Sequence, residues 1–482
     1  MSKLKNNILF SSLLTTSNYL FPLLTFPYIT RTLGVNNIGV CNWVDGIIQY
    51  FVIFSMLGIS ILGVREVAST KENKDQLNSV FSSLLVINFI TTIIALLILF
   101  LLINYINDFS EYKSLFYIGC AKLFFNFLSI EWFYKGIENF KYITYRSIFI
   151  KIIYVIAVFI FIKQPDDYYI YYILTVSSIV ISSLINIIYS NKYVQFRLNN
   201  LKIKKLIKPF FFLGIYLVMN SVYSTFNVAY LGIVSGVEDV GYYTTATKIF
   251  MIILSIYSAF TGVLMPRISN LISNKNSKEI YALINKSFSV LYSIAFPLIF
   301  VCYFFSPEII RIIGGSEFNN SIGLLQLSLP IILIGGIEQI LVIQLLLPFK
   351  ADKSIIYNSI VSVIVGVSSG YFLINMYGSK GASYAWLITE ICILLCARFF
   401  VHKIIDISIL NKNFFLNLIY SIPYIVIILV TIYFFHERFI SLFISLLLSG
   451  GYFIILQTQI IKSDIYINFF AKFSTINRNK SK

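Results

Sequence analysis

Long apolar stretches alternate with short polar segments from one end of the chain to the other. Each stretch reaches the length of about 20 residues that a helix needs to cross a bilayer. In hydrocarbon, backbone polar groups must be hydrogen-bonded within a helix or a closed barrel, and barrel strands are only about 10 residues long with alternating polarity. The pattern therefore predicts an all-α polytopic membrane protein of about 14 transmembrane helices. The predicted spans are residues 8–33, 38–63, 78–102, 112–134, 142–162, 168–190, 209–234, 241–265, 281–305, 321–347, 354–376, 380–401, 414–435 and 439–461.

The composition supports the same class of protein. Of the 482 residues, 58% are hydrophobic, 17% are aromatic and only 12% are charged, and the mean hydropathy is +0.83. Soluble domains carry about 25% charged residues. A chain this apolar cannot cover a surface that faces water. Because the apolar stretches recur throughout, we expect one membrane-embedded bundle rather than several soluble domains.

The basic residues predict how the bundle is oriented. With the N-terminus in the cytoplasm, 28 of the 37 Lys and Arg residues fall in cytoplasmic loops and the tail, Arg146 counted among them; six fall on the opposite side and three within spans. Cytoplasmic loops are enriched in Lys and Arg, so both termini are predicted to be cytoplasmic. The net charge of +16 is densest from Lys192 to Lys208. We interpret it as a topology signal against anionic lipid headgroups, with protein docking as the alternative, and expect no nucleic-acid partner.

The chain contains an internal repeat with an offset of 202 residues. The strings "TLGVNNIG" and "IVSGVEDVG" end the first and seventh spans, and each has Gly-Val, three residues, then Gly. Each copy begins after an even number of crossings, so the two copies have the same orientation in the membrane. This is the arrangement of transporters whose two parallel repeats hold a substrate site between them. The equivalent residues are Gly34 and Gly236, Gly39 and Gly241, and Arg65 and Arg267. The predicted domains are an N-terminal lobe (1–190), a basic cytoplasmic linker (191–208), a C-terminal lobe (209–403) and an appended helix pair with a basic cytoplasmic tail (404–482).

Seven ionisable residues lie well inside the predicted spans. Each costs about 2.5–3.5 kcal/mol near the middle of a helix on insertion scales. Seven such residues facing lipid would cost roughly 20 kcal/mol, which exceeds a typical folding stability. Most of them must therefore face a cavity or one another. They are Asp45, Lys122, Glu131, Lys151, Lys248, Glu338 and Glu390.

Some of these residues also have structural explanations. The long side chain of Lys151 could extend to the cytoplasmic interface. Glu131 could pair with Lys135, one helical turn further along. Lys122 lies near the middle of its span with no opposite charge within one helical turn of it, so we expect it to face a cavity.

Other charges are candidates for binding or coupling. Asp45 and Lys248 stand at nearly equivalent repeat positions, offset by 203, so they either pair across the cleft between the lobes or each line it. Arg31 is either an interfacial anchor or a phosphate-binding residue, because the planar guanidinium group suits phosphate. Intramembrane carboxylates suit ion or proton coupling. Asp45, Glu338 and Glu390, with the two repeat-related arginines, are therefore candidates for coupling or gating.

No sequence feature indicates an enzyme. The chain has no Walker A sequence, no Gly-rich nucleotide fingerprint and no H-E-x-x-H motif. Its two histidines, His402 and His436, fall in predicted loops. Cys392 and Cys396 share a helix face, but no His or carboxylate stands in register with them to complete a metal site. We expect no catalytic residue, no cofactor and no metal.

Three strings resemble one known family. "NYLFPLLTFPYITRTLG", "GVREVAS" and "EWFYKGIENFKYITYRSI" occur in the order and spacing of the polysaccharide-biosynthesis flippases of the Wzx type. These belong to the superfamily that also contains multidrug and toxin extruders and lipid II flippases. The resemblance is strong over the first five predicted helices and continues by layout through "LLPFKADKSIIYNS" and "GSKGASYAWLITE". It implies a V-shaped, two-lobed transporter of the bacterial inner membrane that alternates between inward and outward openings.

The resemblance also implies a substrate and residues that bind it. The substrate would be an undecaprenyl-diphosphate-linked oligosaccharide, an O-antigen or capsule repeat unit, moved from the cytoplasmic to the outer leaflet. Other polysaccharide-assembly membrane proteins are candidate partners. A cationic central cavity is expected to receive the diphosphate and the sugars, and in the related lipid II flippases arginines of helices 1, 2 and 8 serve that purpose. By position Arg31 matches the arginine of helix 1 and Lys248 takes the place in helix 8, with Lys122 and Asp45 as further candidates. Lipid II flippases have an arginine in the middle of the second helix. In this chain the only charge there is Asp45.

Three other functions are weighed against this one. A cation-coupled multidrug antiporter of the same superfamily would favour an anionic cavity, whereas Arg31, Lys248 and Asp45 together carry a net positive charge. A lipid II flippase is the second alternative. A membrane-embedded glycosyltransferase or polysaccharide polymerase would need a large extracytoplasmic loop with acid and base residues, and the longest such loop here is residues 306–320.

Overall fold

The computed structural model describes residues 2–274, 276–463 and 466–467, and no β-strand occurs among them. The predicted all-α fold is confirmed. The helices are α1 (Ser2–Met56), α2 (Ile59–Thr70), α3 (Lys74–Tyr105), α4 (Lys113–Asn126), α5 (Glu131–Gly136), α6 (Phe140–Phe161), α7 (Tyr168–Ser190), α8 (Ile203–Val234), α9 (Val237–Ser273), α10 (Ser277–Phe304), α11 (Ser306–Gly314), α12 (Ser321–Ser328), α13 (Pro330–Gln339), α14 (Asp352–His402), α15 (Lys412–Ile419), α16 (Ile422–Phe434) and α17 (Arg438–Ile455). π-Helical turns follow α13 at Ile340–Leu346 and α17 at Leu456–Ile460.

Several of these helices are suited to a membrane. Within the described part of the chain, nine helices are long and apolar enough to cross it, or ten if the bent pair Ser316–Ser328 and Pro330–Leu346 forms one span. At a rise of about 1.5 Å per residue, α1 and α14 are each far longer than the roughly 30 Å hydrocarbon core. Each is broken by a glycine with non-helical backbone angles, Gly34 or Gly378. All fourteen predicted stretches are largely helical, but fourteen membrane crossings stay a prediction.

The glycine turns of the repeat adopt the same backbone conformation. Gly34 has φ 78° and ψ 173°, and Gly236 has φ 92° and ψ 167°. Residues with a β-carbon rarely adopt this region, which explains a glycine at both positions. Both turns lie at one end of the molecule, which we call the Gly34 end; the opposite end, which carries Arg65, is the Arg65 end. Below, the first half means α1–α7 and the second half means α8–α14.

The two halves meet at the Gly34 end through equivalent residues. The side chain of Asn42 donates a 2.8 Å hydrogen bond to the hydroxyl of Thr244, which stands 202 positions later. A residue can touch its own equivalent only at a two-fold axis, so the repeat axis passes between this pair. Glycines permit the close approach there, because a β-carbon on Gly39 would lie 1.8 Å from the carbonyl oxygen of Val237.

A second contact between the halves joins α1 to α8. The indole of Trp43 donates to the carbonyl of Ala229 at 3.1 Å, and the hydroxyl of Tyr50 to that of Val222 at 3.2 Å. Further toward the Arg65 end, a β-carbon on Gly58 would lie 2.4 Å from the carbonyl oxygen of Phe210. The halves are therefore joined over much of the length of α8.

The last helices pack beside the second half. Helices α15 and α16 contact α10, and α17 contacts α16 and α11. The hydroxyl of Tyr292 in α10 donates to the carbonyl of Ile409 at 2.7 Å, just before α15. The division into two lobes, a linker and an appended pair stays a prediction.

Candidate functional site

Arg31 lies in α1 at the Gly34 end and bridges the two halves. Its Nη2 donates a 2.8 Å hydrogen bond to the carbonyl of Arg311 in α11. The hydroxyl of the preceding residue, Thr30, donates to the carbonyl of Ile313 at 2.5 Å. Residues 306–320, expected to be a loop, contain this helix, which begins with a proline in its first turn and packs on α1. Arg31 is thus more than an interfacial anchor, because it also fixes the second half against the first.

Lys248 lies in the contact between α1 and α9. Its ammonium nitrogen is 3.8 Å from the ring centroid of Phe26 in α1, a favourable cation–π distance. No carboxylate of the described residues lies within 4 Å of this nitrogen. Beside it is a pocket of about 210 Å³ that Asn18, Pro22 and Ile313 also line. We call this the seam pocket.

Asp45 has a different partner from the one considered at the sequence level. Its carboxylate accepts a 2.7 Å ion-pair hydrogen bond from Lys122 in α4. The ammonium group of Lys122 is buried, whereas the Asp45 side chain is 37% exposed. The direct Asp45–Lys248 pair is therefore not formed in this structure. Lys122 does face a cavity, as expected.

The first half contains a half-open cavity of about 530 Å³ with both polar and apolar lining residues, which we call the first-half cavity. Lys122, Arg146 and Lys151 contribute cationic groups to its wall, and Glu131 contributes a carboxylate. The ammonium of Lys151 donates to the Ser17 hydroxyl at 3.0 Å and to the Asn18 side-chain oxygen at 2.5 Å. Lys151 is half-buried, and whether its side chain also reaches the membrane interface stays a prediction.

The sequence analysis missed Arg146, which was counted with a cytoplasmic loop. It is a buried residue of α6, and its guanidinium donates to Glu131 at 2.7 Å, closer than the 3.6 Å between Glu131 and Lys135. It also contacts the side-chain oxygen of Asn186 in α7. These bonds hold the chain where α4 ends and α5 begins, at Ile130, whose φ is 34°. The only sequence signal was that Arg146 falls inside a predicted span.

A second polar cavity, of about 380 Å³, lies in the second half and is lined by Glu338 and Glu390. Gln339 beside Glu338 accepts a 3.1 Å hydrogen bond from Ser258, and Glu390 accepts one of 2.9 Å from the Trp386 indole. The structure thus brings these two predicted coupling candidates to one cavity, separate from Asp45.

The repeat-related arginines lie away from these sites. Arg65 pairs with its neighbour Glu66 at 3.2 Å and is exposed, and Arg267 is exposed near the last turns of α9. In the part of the chain that the structure describes, no group of three or more His, Cys, Asp or Glu side chains could hold a metal ion.

Comparison with known proteins gives two matches to family sequence profiles. Residues 4–272 match the family described as "Polysaccharide biosynthesis protein", and residues 213–372 match the family described as "MatE". The chain is 23% identical to a protein of Escherichia coli K12 named an O-antigen transporter, over 83% of this chain and 97% of the relative. It is 26% identical to a protein of the same name from Shigella dysenteriae, over 81% and 98%.

Solved structures share the fold. The structure of the lipid II flippase MurJ in an inward closed conformation superposes with a TM-score of 0.76 at 17% identity, covering 94% of this chain and all of that one. An inward-facing multidrug resistance transporter of the MATE family gives a TM-score of 0.61 at 12% identity, covering 80% and 94%. At these identities the likeness concerns the fold alone.

Proposed function

Because the chain belongs to the polysaccharide biosynthesis protein family, we propose that it is a flippase that moves a lipid-linked oligosaccharide across a bacterial membrane. The lipid is undecaprenyl diphosphate, and the head group travels from the cytoplasmic to the outer leaflet of the inner membrane. Both termini are cytoplasmic, so the Gly34 end faces outward. The protein performs transport and catalyses no covalent step. The relatives named O-antigen transporter support this class of substrate.

One observation carries the substrate proposal: two cations lie in the contact between the halves. Neither Arg31 nor Lys248 has a carboxylate within 4 Å among the described residues. An anionic diphosphate in a cleft of low dielectric needs such groups, since charge-assisted hydrogen bonds are the stronger kind. Lys248 of α9 lies against Phe26 of α1, which is further from the Gly34 end than Arg31 is. It therefore receives the diphosphate first. Arg31 takes it when the Gly34 end opens.

The same contact supports alternating access. The halves touch at the Gly34 end through repeat-equivalent residues, glycine backbones and the Arg31 bridge. These contacts lie between the halves and not within either one, so on this proposal they can separate without unfolding a half. On this proposal, the contact at the Gly34 end belongs to the state that is closed to the outside. Opening that end frees the Arg31 guanidinium from the Arg311 carbonyl.

Coupling is assigned to the acidic cavity of the second half. Glu338 and Glu390 line one cavity of about 380 Å³ in the second half. Two carboxylates in such a site favour binding of a proton or another cation. Asp45, paired with Lys122, links the binding cleft to the first half.

Complementation of surface polysaccharide tests the proposal. The gene is deleted in its own host, and plasmid copies of wild type, Lys248→Ala, Lys248→Arg and the exposed control Lys278→Ala are compared at equal membrane abundance. Losing a charge-assisted contact of roughly 1.5–3 kcal/mol should reduce polysaccharide export about tenfold to a hundredfold in Lys248→Ala. Lys248→Arg and Lys278→Ala should stay near wild type. Unchanged polysaccharide in the deletion strain would refute the flippase function itself.

A further inference from the structure

The first-half cavity contains polar groups that the fold leaves without partners. Arg146 Nε, Asn126 Nδ2 and Ser183 Oγ are buried and have no hydrogen-bond partner among the described residues. Arg146 is 7% exposed and Ser183 is fully buried. A buried polar group left unpaired costs roughly 1–3 kcal/mol, and native proteins rarely retain several in one place. The three residues all line the first-half cavity, so its wall has unused hydrogen-bonding capacity.

One face of α7 adds hydroxyl groups to the same cavity. Thr175, Ser178 and Ser182 follow the helical spacing of three or four residues and all line it. Gln49 of α1 lines the opposite wall. Serine, threonine and amide side chains can each both donate and accept hydrogen bonds, which matches a polyhydroxylated ligand. The volume of about 530 Å³ falls in the range of roughly 300–1,000 Å³ that small-molecule sites occupy.

The charges of the cavity leave one cation uncompensated. Lys122 is paired with Asp45 and Arg146 with Glu131. Lys151 has only the neutral partners Ser17 and Asn18 within hydrogen-bond distance among the described residues. Lys151 is half-buried, and a cation partly removed from water is stabilised by a counter-ion. The ligand that completes this site therefore carries a negative charge as well as hydroxyl groups.

The cavity lies next to the seam pocket. Pro22 lines both, and Asn18 lines the seam pocket while it accepts a hydrogen bond from Lys151. The α1 segment 18–22 therefore has Lys248 on one side and Lys151 on the other. A head group whose diphosphate is held at Lys248 has its sugars close to the first-half cavity.

We propose, building on the flippase function above, that the first-half cavity binds the sugar portion of the substrate and that this sugar carries a carboxylate that pairs with Lys151. The transported repeat unit is then an acidic oligosaccharide. Arg146 and Asn126 donate hydrogen bonds to its oxygen atoms, and the α7 hydroxyls form hydrogen bonds with its hydroxyl groups. Arg146 keeps its Nη2 bond to Glu131 throughout, and its unpaired Nε supplies the contact to the ligand.

The test uses purified full-length protein in nanodiscs, with the five native cysteines replaced and a reporter cysteine at Ser182→Cys. Three probes compete with maleimide labelling of the reporter: the oligosaccharide released from the host's own lipid carrier, the same oligosaccharide after chemical reduction of its carboxylates to alcohols, and farnesyl diphosphate. The released oligosaccharide should protect the reporter, and the reduced form should bind about tenfold to a hundredfold more weakly. Lys151→Gln should abolish that difference, whereas Lys151→Arg should keep it.

Several results would overturn the proposal without affecting the flippase function. One is the finding that the host's oligosaccharide contains no carboxylate. Another is equal protection of the reporter cysteine by the native and the reduced oligosaccharide. A third is protection by farnesyl diphosphate alone, which would assign the anion at Lys151 to the lipid carrier. In cells, Ser178→Val should lower polysaccharide export while Ser177→Val, its neighbour outside the cavity lining, should not. Equal export by both would likewise exclude the subsite. Failure of wild type to restore any polysaccharide would instead refute the function on which the proposal rests.

Discussion

The glycine contact at the Gly34 end can be opened by one methyl group. A β-carbon on Gly39 would lie 1.8 Å from the carbonyl oxygen of Val237, and one on Gly241 would lie 2.3 Å from that of Val35. Both distances are far below a van der Waals contact, and the obstacle is backbone, so the helices must move apart by more than an ångström. Overpacking of this kind costs roughly 1–3 kcal/mol. Gly39 and Val237 belong to different halves, so the substitution destabilises the closed contact at the Gly34 end. The opening of that end should become more favourable by about fivefold to a hundredfold.

The assay is the labelling rate of a cysteine at Thr244, which is 8% exposed in the closed contact. In a protein without its native cysteines, Gly39→Ala should accelerate labelling of Thr244→Cys by a membrane-impermeant maleimide from outside by at least fivefold. It should also slow transport, since the closed state becomes less populated. Gly323→Ala is the matched control, because a β-carbon there meets nothing within 4 Å. If Gly39→Ala folds normally and labels no faster than Gly323→Ala, the outer seal is not the glycine contact.

Three further outcomes follow from the same geometry. Arg31→Lys should retain part of the export that Arg31→Ala loses, since an ammonium keeps the charge but not the planar fork. Equal export by these two variants would show that Arg31 is a structural bridge only. Lys122→Gln should lower the thermal stability of the purified protein by leaving the Asp45 carboxylate unpaired, and adding Asp45→Asn should recover part of the loss; additive losses would show that the pair is not coupled. A cysteine at Ser110 should label from outside and one at Asn199 only after permeabilisation, and the reverse pattern would invert the topology.

The helices were predictable because they depend on local sequence. An apolar stretch long enough to cross hydrocarbon has little choice but to be helical. The turns at Gly34 and Gly236 were predictable for the same reason, since a repeated glycine indicates a repeated backbone conformation. The structure gives these two residues nearly identical angles. Contact between equivalent residues of the two repeats could be expected, although the repeat did not identify the Asn42–Thr244 pair.

The partners of the buried charges were not predictable. Spacing along a helix places a residue at a depth, but which neighbour it faces depends on how each helix is rotated within the bundle. Asp45 is therefore paired with Lys122, which is 77 positions away, rather than with Lys248. Arg146 was assigned to a loop because charge usually marks the end of a span, yet it pairs inside the bundle with Glu131.

Breaks inside helices also escaped the sequence analysis. The second predicted span is interrupted near Leu57, and the fourth near Ile130, and both residues have positive φ. Neither residue is itself a glycine or a proline, and only the first has a glycine beside it, Gly58. The surrounding packing imposes these conformations, as tertiary structure can do at a cost of about 1–3 kcal/mol each.

The central claim is that this protein moves a lipid-linked oligosaccharide between leaflets, and transport in purified vesicles tests it most directly. Wild-type protein and Lys248→Ala are reconstituted into liposomes that carry the host's undecaprenyl-diphosphate-linked oligosaccharide, and the fraction that a sugar-binding lectin can reach outside is followed over time. The account predicts rapid exposure of the initially inner pool with wild type, slower exposure with Lys248→Ala and none in protein-free vesicles. Exposure with wild type that is no faster than in protein-free vesicles, when the expected coupling gradient is imposed, would contradict it.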